Sequence, residues 1–309
     1  MQLVVSAILP IILLLLTGWA LGYSQFIPPE GWASIENLCY WVLIPALLIP
    51  SVASADFSSI HVGKYAVVML GSVTFLIAIL MALHPLLQRY LGVSGASWTS
   101  LAQGTIRWNG FITLAVATKV LEDTGVSLIA IAFAILTPFN NLLCVLLMIL
   151  YTRSHAISLQ SVLGGVLKNP FILSVLVGLV LNVTHIPLPE VLDGYLTFLS
   201  SASVPMAILC VGAAIDLRML RKPNFQLITG VAFRLLIAPA VALVFATLLE
   251  VDETLKLALV IVFAGPTAGS AYILSRKMGG DYALMAQIIA AQTILAALTY
   301  AGWLIFVID

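Results

Sequence analysis

Leu257-Ala-Leu-Val-Ile-Val-Phe-Ala-Gly265-Pro266-Thr267-Ala268-Gly269-Ser270-Ala-Tyr272-Ile-Leu-Ser-Arg276-Lys277-Met278-Gly279-Gly280-Asp281 carries two conflicting signals. From Leu257 to Ser275 it has no charge and the apolar length of a membrane span. Its middle cannot be a regular helix. Pro266 removes a backbone donor and clashes with the carbonyl four residues back, and Gly265 and Gly269 add freedom without packing. Unpaired backbone in hydrocarbon costs several kcal/mol per group, so such a break persists only where protein, water or a ligand satisfies it. A broken span at the bilayer midplane points to a transporter's substrate site.

Working outward, 62% of the 309 residues are hydrophobic and 8% are charged, too few charges to wet the surface of a soluble protein of this size. The composition predicts an all-α polytopic membrane protein. Net charge is zero and no basic run is longer than Arg221-Lys222, which argues against nucleic acid as a partner. Cys39, Cys144 and Cys210 lie inside apolar segments, in neither a CxxC nor a metal-ligand spacing, and read as small core residues. No cofactor is expected. The first apolar run lacks a basic leader and an A-x-A site, so it reads as a span and not as a cleaved signal.

Ten spans of about 20 residues fit a bilayer core of about 30 Å. They are Leu3 to Gly22, Ile35 to Ala55, Lys64 to Leu86, Ser97 to Lys119, Val126 to Tyr151, Pro170 to Val183, Leu192 to Ala214, Phe225 to Leu249, Thr254 to Lys277 and Tyr282 to Ile308. Trp19, Tyr23, Trp32, Trp98, Tyr151 and Trp303 fall near their ends, where amphipathic rings prefer to sit.

The chain repeats itself at a fixed offset: Pro10 with Pro170, Gly18 with Gly178, Pro29-Glu30 with Pro189-Glu190, Pro45 with Pro205, Ala53 with Ala213, Asp56 with Asp216. Five spans is an odd number, so the second half enters from the opposite side of the membrane. Two inverted repeats, 1–151 and 170–309, are expected, joined by a cytoplasmic loop at 152–169. Arg89, Arg153, Lys168, Arg218, Arg221, Lys222, Arg276 and Lys277 gather on one side, against Lys64, Lys119 and Lys256 on the other. That bias puts both termini outside.

Carried back by the same offset, Thr267 to Ser270 fall on Arg107, Trp108, Asn109 and Gly110, in the middle of the apolar segment from Leu101 to Val120. Asn109-Gly110 is a poor helix interior. If both spans unwind there, two antiparallel broken helices can cross, with half-helix N-termini near Phe111 and Ser270 converging on one point.

Arg107-Trp108-Asn109-Gly110-Phe111, with Pro266-Thr267-Ala268 through Tyr272 to Met278-Gly279-Gly280-Asp281, resembles the fourth-span and ninth-span motifs of the auxin efflux carrier family, whose bacterial members are similar to plant PIN proteins. The resemblance covers essentially the whole chain. It implies elevator-like secondary transport of small organic anions, including dicarboxylates, across the inner membrane. Spans four and nine with their neighbours would move, and spans one, two, six and seven would form a scaffold through which a homodimer could assemble. Plant PIN proteins carry Asn-Pro at the fourth-span break where this chain has Asn109-Gly110, which argues against auxin itself.

The residues expected to hold the anion are Arg107, Asn109, Gly110, Pro266, Thr267, Gly269 and Ser270, with Pro45, Pro205, Asn140, Asn141, Arg234 and Tyr272 as possible or supporting contacts. An ionised arginine deep in a span costs about 2.5–3.5 kcal/mol on insertion scales. Arg107 and Arg234 both need compensation, and no Asp or Glu lies deep in any span. Exposed carbonyls at the breaks, or a substrate carboxylate, can supply it. Asn109, Thr267 and Ser270 can equally re-satisfy freed backbone. Asn140 and Asn141 cannot share one helix face.

Two other classes are weighed against a transporter. Gly92-Val93-Ser94-Gly95 has the form of an intramembrane serine protease motif but falls in a loop, with His155 and His185 in other loops. Met278-Gly279-Gly280-Asp281 lacks the first glycine of the aspartyl-protease GxGD and has no second aspartate at the midplane. An enzyme is not expected. A non-transporting receptor or sensor on the same fold is the alternative reading.

Overall fold

The computed structural model describes residues 2–55, 61–152, 168–220 and 224–308. Asp56, Arg153, His155, Arg221 and Lys222, with most of the expected connecting loop, lie outside the described residues. Among those described, every regular element is helical. Six helical stretches are long and apolar enough to cross a membrane: Pro29–Ala53, Val62–Leu91, Thr124–Thr152, Glu190–Ala213, Phe225–Leu248 and Tyr282–Ile308. Ile8–Tyr23 and Pro170–Thr184 are shorter apolar helices. The chain is a polytopic membrane protein whose regular structure, among the described residues, is all helical. Its outward faces are apolar, as on one side of the first helix, where Leu9, Leu13 and Leu16 are all exposed.

The helices in chain order are α1 (Gln2–Tyr23), α2 (Pro29–Leu38), α3 (Ile44–Ala53), α4 (Val62–Leu91), α5 (Gly95–Ile106), α6 (Gly110–Val120), α7 (Glu122–Thr152), α8 (Pro170–Thr184), α9 (Glu190–Ala213), α10 (Phe225–Ala232), α11 (Ala238–Leu248), α12 (Glu253–Ala264), α13 (Ser270–Lys277) and α14 (Tyr282–Ile308). Single π-helical turns join α2 to α3 at Cys39–Leu43 and α10 to α11 at Phe233–Ile237. Both stand just before a proline, Pro45 and Pro239. A proline ring clashes with the carbonyl four residues back, and widening the preceding turn removes the clash. Ile44 accordingly donates five residues back to Cys39 O, and Ala238 to Phe233 O. The carbonyl that Pro239 leaves free, that of Leu235, accepts from Trp303 Nε1 at 2.8 Å. Pro205, by contrast, sits inside an α9 that runs on without interruption.

Two compact units divide the chain, and both draw on both halves of the sequence. The first comprises residues 1–61, 110–134 and 164–215. Its close packing depends on small residues that let helices approach. A Cβ added to Gly18 on α1 would stand 2.2 Å from the Leu209 carbonyl oxygen on α9, and one added to Gly178 on α8 would meet Val52 and the Ile49 oxygen on α3. Subtracting or adding the repeat offset converts the first pair into the second. The same exchange relates Gly22, against the Ala213 backbone, to Asn182, whose side chain donates to Ala53 O at 2.9 Å. Gly110, the first residue of α6, leaves room for the Phe133 ring, which a Cβ would strike at 1.9 Å.

The second unit comprises residues 62–109, 135–163 and 216–309. Side-chain caps start its helices: Ser94 accepts from Ser97 N, Asn224 from Leu227 N, Asp252 from Leu255 N and Asp281 from Leu284 N. Each satisfies a donor that the first helical turn leaves free. Met278-Gly279-Gly280 ends α13, with Gly279 at φ 73°, a left-handed conformation that suits glycine. Asp281 therefore acts as a helix cap that also accepts from Ser97 Oγ at 2.9 Å.

Candidate functional site

The site grows out of two helix breaks within the second unit. Arg107 leaves α5 in an extended conformation, φ −76° and ψ 144°, and residues 107–109 are not helical. Gly265 leaves α12 in the same way, φ −63° and ψ 139°, and the chain stays open until α13 begins at Ser270. The two breaks are bonded to each other: Asn109 N donates to Pro266 O at 2.7 Å. The first break falls at Arg107 to Asn109, and Gly110 is already helical.

A helix that stops inside a membrane leaves its last carbonyls without partners. On α5, Gln103 O accepts from Arg107 N, Gly104 O from Thr267 Oγ1 (2.8 Å) and Gln292 Nε2 (2.9 Å), Thr105 O from Arg234 NH1 (3.1 Å), and Ile106 O from Asn140 Nδ2 (2.8 Å). Near the end of α12, Ile261 O accepts from the Tyr300 hydroxyl (2.9 Å) and Val262 O from Arg234 NH2 (2.8 Å), while Gly265 O accepts from Arg234 Nε. Gln292 also accepts from Thr267 N at 2.8 Å and donates to Gly230 O at 2.9 Å. Thr267, Asn109 and Pro266 are buried parts of this lattice.

Arg234 is 1% exposed, and among the described residues it has no carboxylate partner. Its compensation is a matter of geometry. It joins the C-terminal ends of α5 and α12, each carrying about half a negative charge from its aligned peptide dipoles, so together they offset about one unit. All three of its nitrogens donate to backbone. The π turn at Phe233–Ile237 carries this residue, which is how a span full of apolar side chains presents one guanidinium inward.

Arg107 is placed differently. One nitrogen, NH2, donates to Ser270 Oγ at 3.1 Å, at the first residue of α13. The other, NH1, is buried and meets no oxygen or nitrogen acceptor, the guanidinium having only the weakly accepting Cys144 thiol beside it. Arg107 is in neither of the salt bridges among the described residues. Arg107 is itself the C-cap of α5, whose negative end it shares with Arg234, but its guanidinium reaches across to the positive end of α13. Gly269 and Ser270 are exposed beside it, and nothing lies within 4 Å of where a Gly269 side chain would start. Arg107, Gly269 and Ser270 thus form an accessible positive point above a closed polar lattice.

Of the remaining expected residues, Asn140 is 3% exposed and faces α5, while Asn141 is half-buried. Tyr272 is half-buried with its ring edge-on to Tyr282 at 6.0 Å. Pro45, Pro205 and Gly110 belong to the first unit. Reading the sequence missed Gln103 and Gln292, both buried, and the only signal either gives is a lone amide in an otherwise apolar span.

A family model described as a membrane transport protein matches residues 152–304. An uncharacterized transporter of Methanocaldococcus jannaschii is 22% identical to this chain, over 96% of it and 97% of the relative.

Proposed function

The chain belongs to the auxin efflux carrier family of membrane transport proteins, which are transporters and not enzymes, and from that premise we propose that it is a secondary transporter of a small organic anion. The observation that carries this reading is the Arg107 guanidinium, with one nitrogen on Ser270 and the other buried without an oxygen acceptor beside the start of α13. A carboxylate is the chemical complement of a planar guanidinium edge. The site residues are Arg107, Gly269 and Ser270, with Asn109, Gly110, Pro266 and Thr267 shaping the breaks.

Ten spans in two inverted five-helix repeats, 1–151 and 170–309, are the architecture of this reading. Its support is the exchange symmetry of Gly18 on Leu209 with Gly178 on Ile49. Movement is of the elevator kind: the unit holding Arg107 and both breaks shifts, and α1, α2, α3, α8 and α9 serve as scaffold and dimer contact. The division of the chain into compact units supports that partition, with the addition that α6 groups with the scaffold helices. The protein resides in the inner membrane with both termini outside.

Thermal stabilisation of the purified protein by mono- and dicarboxylates identifies a ligand, and uptake of that labelled anion into proteoliposomes tests transport. Time-dependent accumulation is expected. Stabilisation without flux would favour a receptor or sensor.

A further inference from the structure

Two of the three cysteines meet inside the first compact unit. Cys39 opens the π turn at Cys39–Leu43, and Cys210 lies on α9, one turn after Ala207. That face of α9 packs on the turn: Cys39, Leu43 and Ala207 form one buried cluster, with Leu199 and Met206 against it. The thiols of Cys39 and Cys210 are hydrogen-bonded to each other. Both are free, and they are 0% and 8% exposed. Glu36, one turn before Cys39 on the same face of α2, is exposed, and its carboxylate acts electrostatically on both sulfurs. The pair thus lies close beneath a polar surface.

Core filling alone does not call for two thiols here. The repeat offset carries Cys39 to Leu199 and Cys210 to Pro50, so the equivalent positions of the other half hold no sulfur. Cys144, the third cysteine, is buried in the second unit with the Arg107 guanidinium beside it. Two side chains in contact across closely packed segments meet the first requirement for a disulfide, which forms only between neighbouring backbones.

We infer that Cys39 and Cys210 are a redox modification site: a dithiol that a peroxide closes to an intramolecular disulfide, pinning the π turn to α9, and that added thiols reopen. One sulfur attacks a peroxide oxygen and the O–O bond breaks. The thiol proton leaves with the departing hydroxide as water, giving a sulfenic acid. The second sulfur attacks the first, the S–O bond breaks, the S–S bond forms, and the second thiol proton leaves in another water. Two thiols are oxidised and one peroxide is reduced to two waters. In the proposed orientation this end of the unit faces the cytoplasm, where thiols rest reduced and a disulfide is a transient, redox-driven state.

The test counts thiols. Purified full-length protein is treated with hydrogen peroxide, then denatured and labelled with a maleimide, with and without prior dithiothreitol. Oxidation should leave Cys144 as the one reactive thiol, in a monomer lighter by two hydrogens whose peptides are joined through Cys39 and Cys210. Dithiothreitol should restore all three thiols. Because a preformed pair takes the bond without strain, the thermal midpoint should rise by at least about 4 °C on oxidation and return on reduction. Cys39→Ala and Cys210→Ala should each abolish the joined peptides and the thermal shift, and Cys144→Ala should keep both. Three reactive thiols after peroxide overturn the proposal. So does a bond through Cys144 or between chains, an oxidation that dithiothreitol does not reverse, or a midpoint that does not rise.

Discussion

Arg234→Met should unfold the protein or come close to it, with no substrate involved. Methionine keeps much of the length and apolar bulk but removes the donors to Gly265 O, Thr105 O and Val262 O. Each buried acceptor left unpaired costs about 1–3 kcal/mol, so three cost about 3–9 kcal/mol. The change also leaves the ends of α5 and α12 facing each other without the cation between them. Domains hold about 5–15 kcal/mol in total, so the loss is a large share of it. At about 2–4 °C per kcal/mol, the thermal midpoint in detergent should fall by at least about 6 °C. Arg234→Lys should lie between, because an ammonium restores the charge but cannot spread three donors over a planar fork. The assay is tryptophan fluorescence or size-exclusion recovery against temperature. An Arg234→Met protein melting within about 2 °C of the native one would refute the claim that this arginine satisfies the broken backbone.

Gly18→Ala and Gly178→Ala should each destabilise by about 1–3 kcal/mol, since a Cβ at either position meets the neighbouring helix; neutral melting of both would remove the packing support for paired repeats. In a cysteine-free background, Arg218→Cys should resist a membrane-impermeant maleimide in intact cells and Glu253→Cys should react; the reverse pattern would invert the topology. With voltage clamped at zero, a pH gradient alone should not concentrate substrate in proteoliposomes, because neither break, 107–109 or 265–269, carries a carboxylate or a histidine to hold a proton; accumulation abolished by changing His84, which lies inside α4, would expose a coupling site.

Both breaks were legible in the sequence because their causes are local. Pro266 between Gly265 and Gly269 forbids a regular helix on its own, and an arginine with Asn109-Gly110 at the equivalent point marks the other. The apolar runs likewise announce the long helices by themselves. What was not legible depends on partners distant in the chain. Arg107 and Arg234 are alike on paper, each a lone guanidinium in an apolar span. Only the packing puts one between two helix C-termini and the other beside a helix N-terminus. Gln292 caps carbonyls and an amide from three other segments, yet nothing near it in sequence names them. Pro45 and Pro205 occupy equivalent places in the repeat. One follows a π turn and the other sits in an uninterrupted helix, so the proline alone did not fix the local geometry.

The contrast between the two arginines can be put to one direct measurement: flux of the identified anion through proteoliposomes containing native protein or Arg107→Lys, with the thermal midpoint of each recorded. Lysine keeps the charge and loses the fork that pairs two carboxylate oxygens. The expected result is a melting temperature within about 2 °C of native and a flux reduced at least about tenfold, as losing about 1.4 kcal/mol of substrate interaction requires. Native flux through Arg107→Lys would contradict the account.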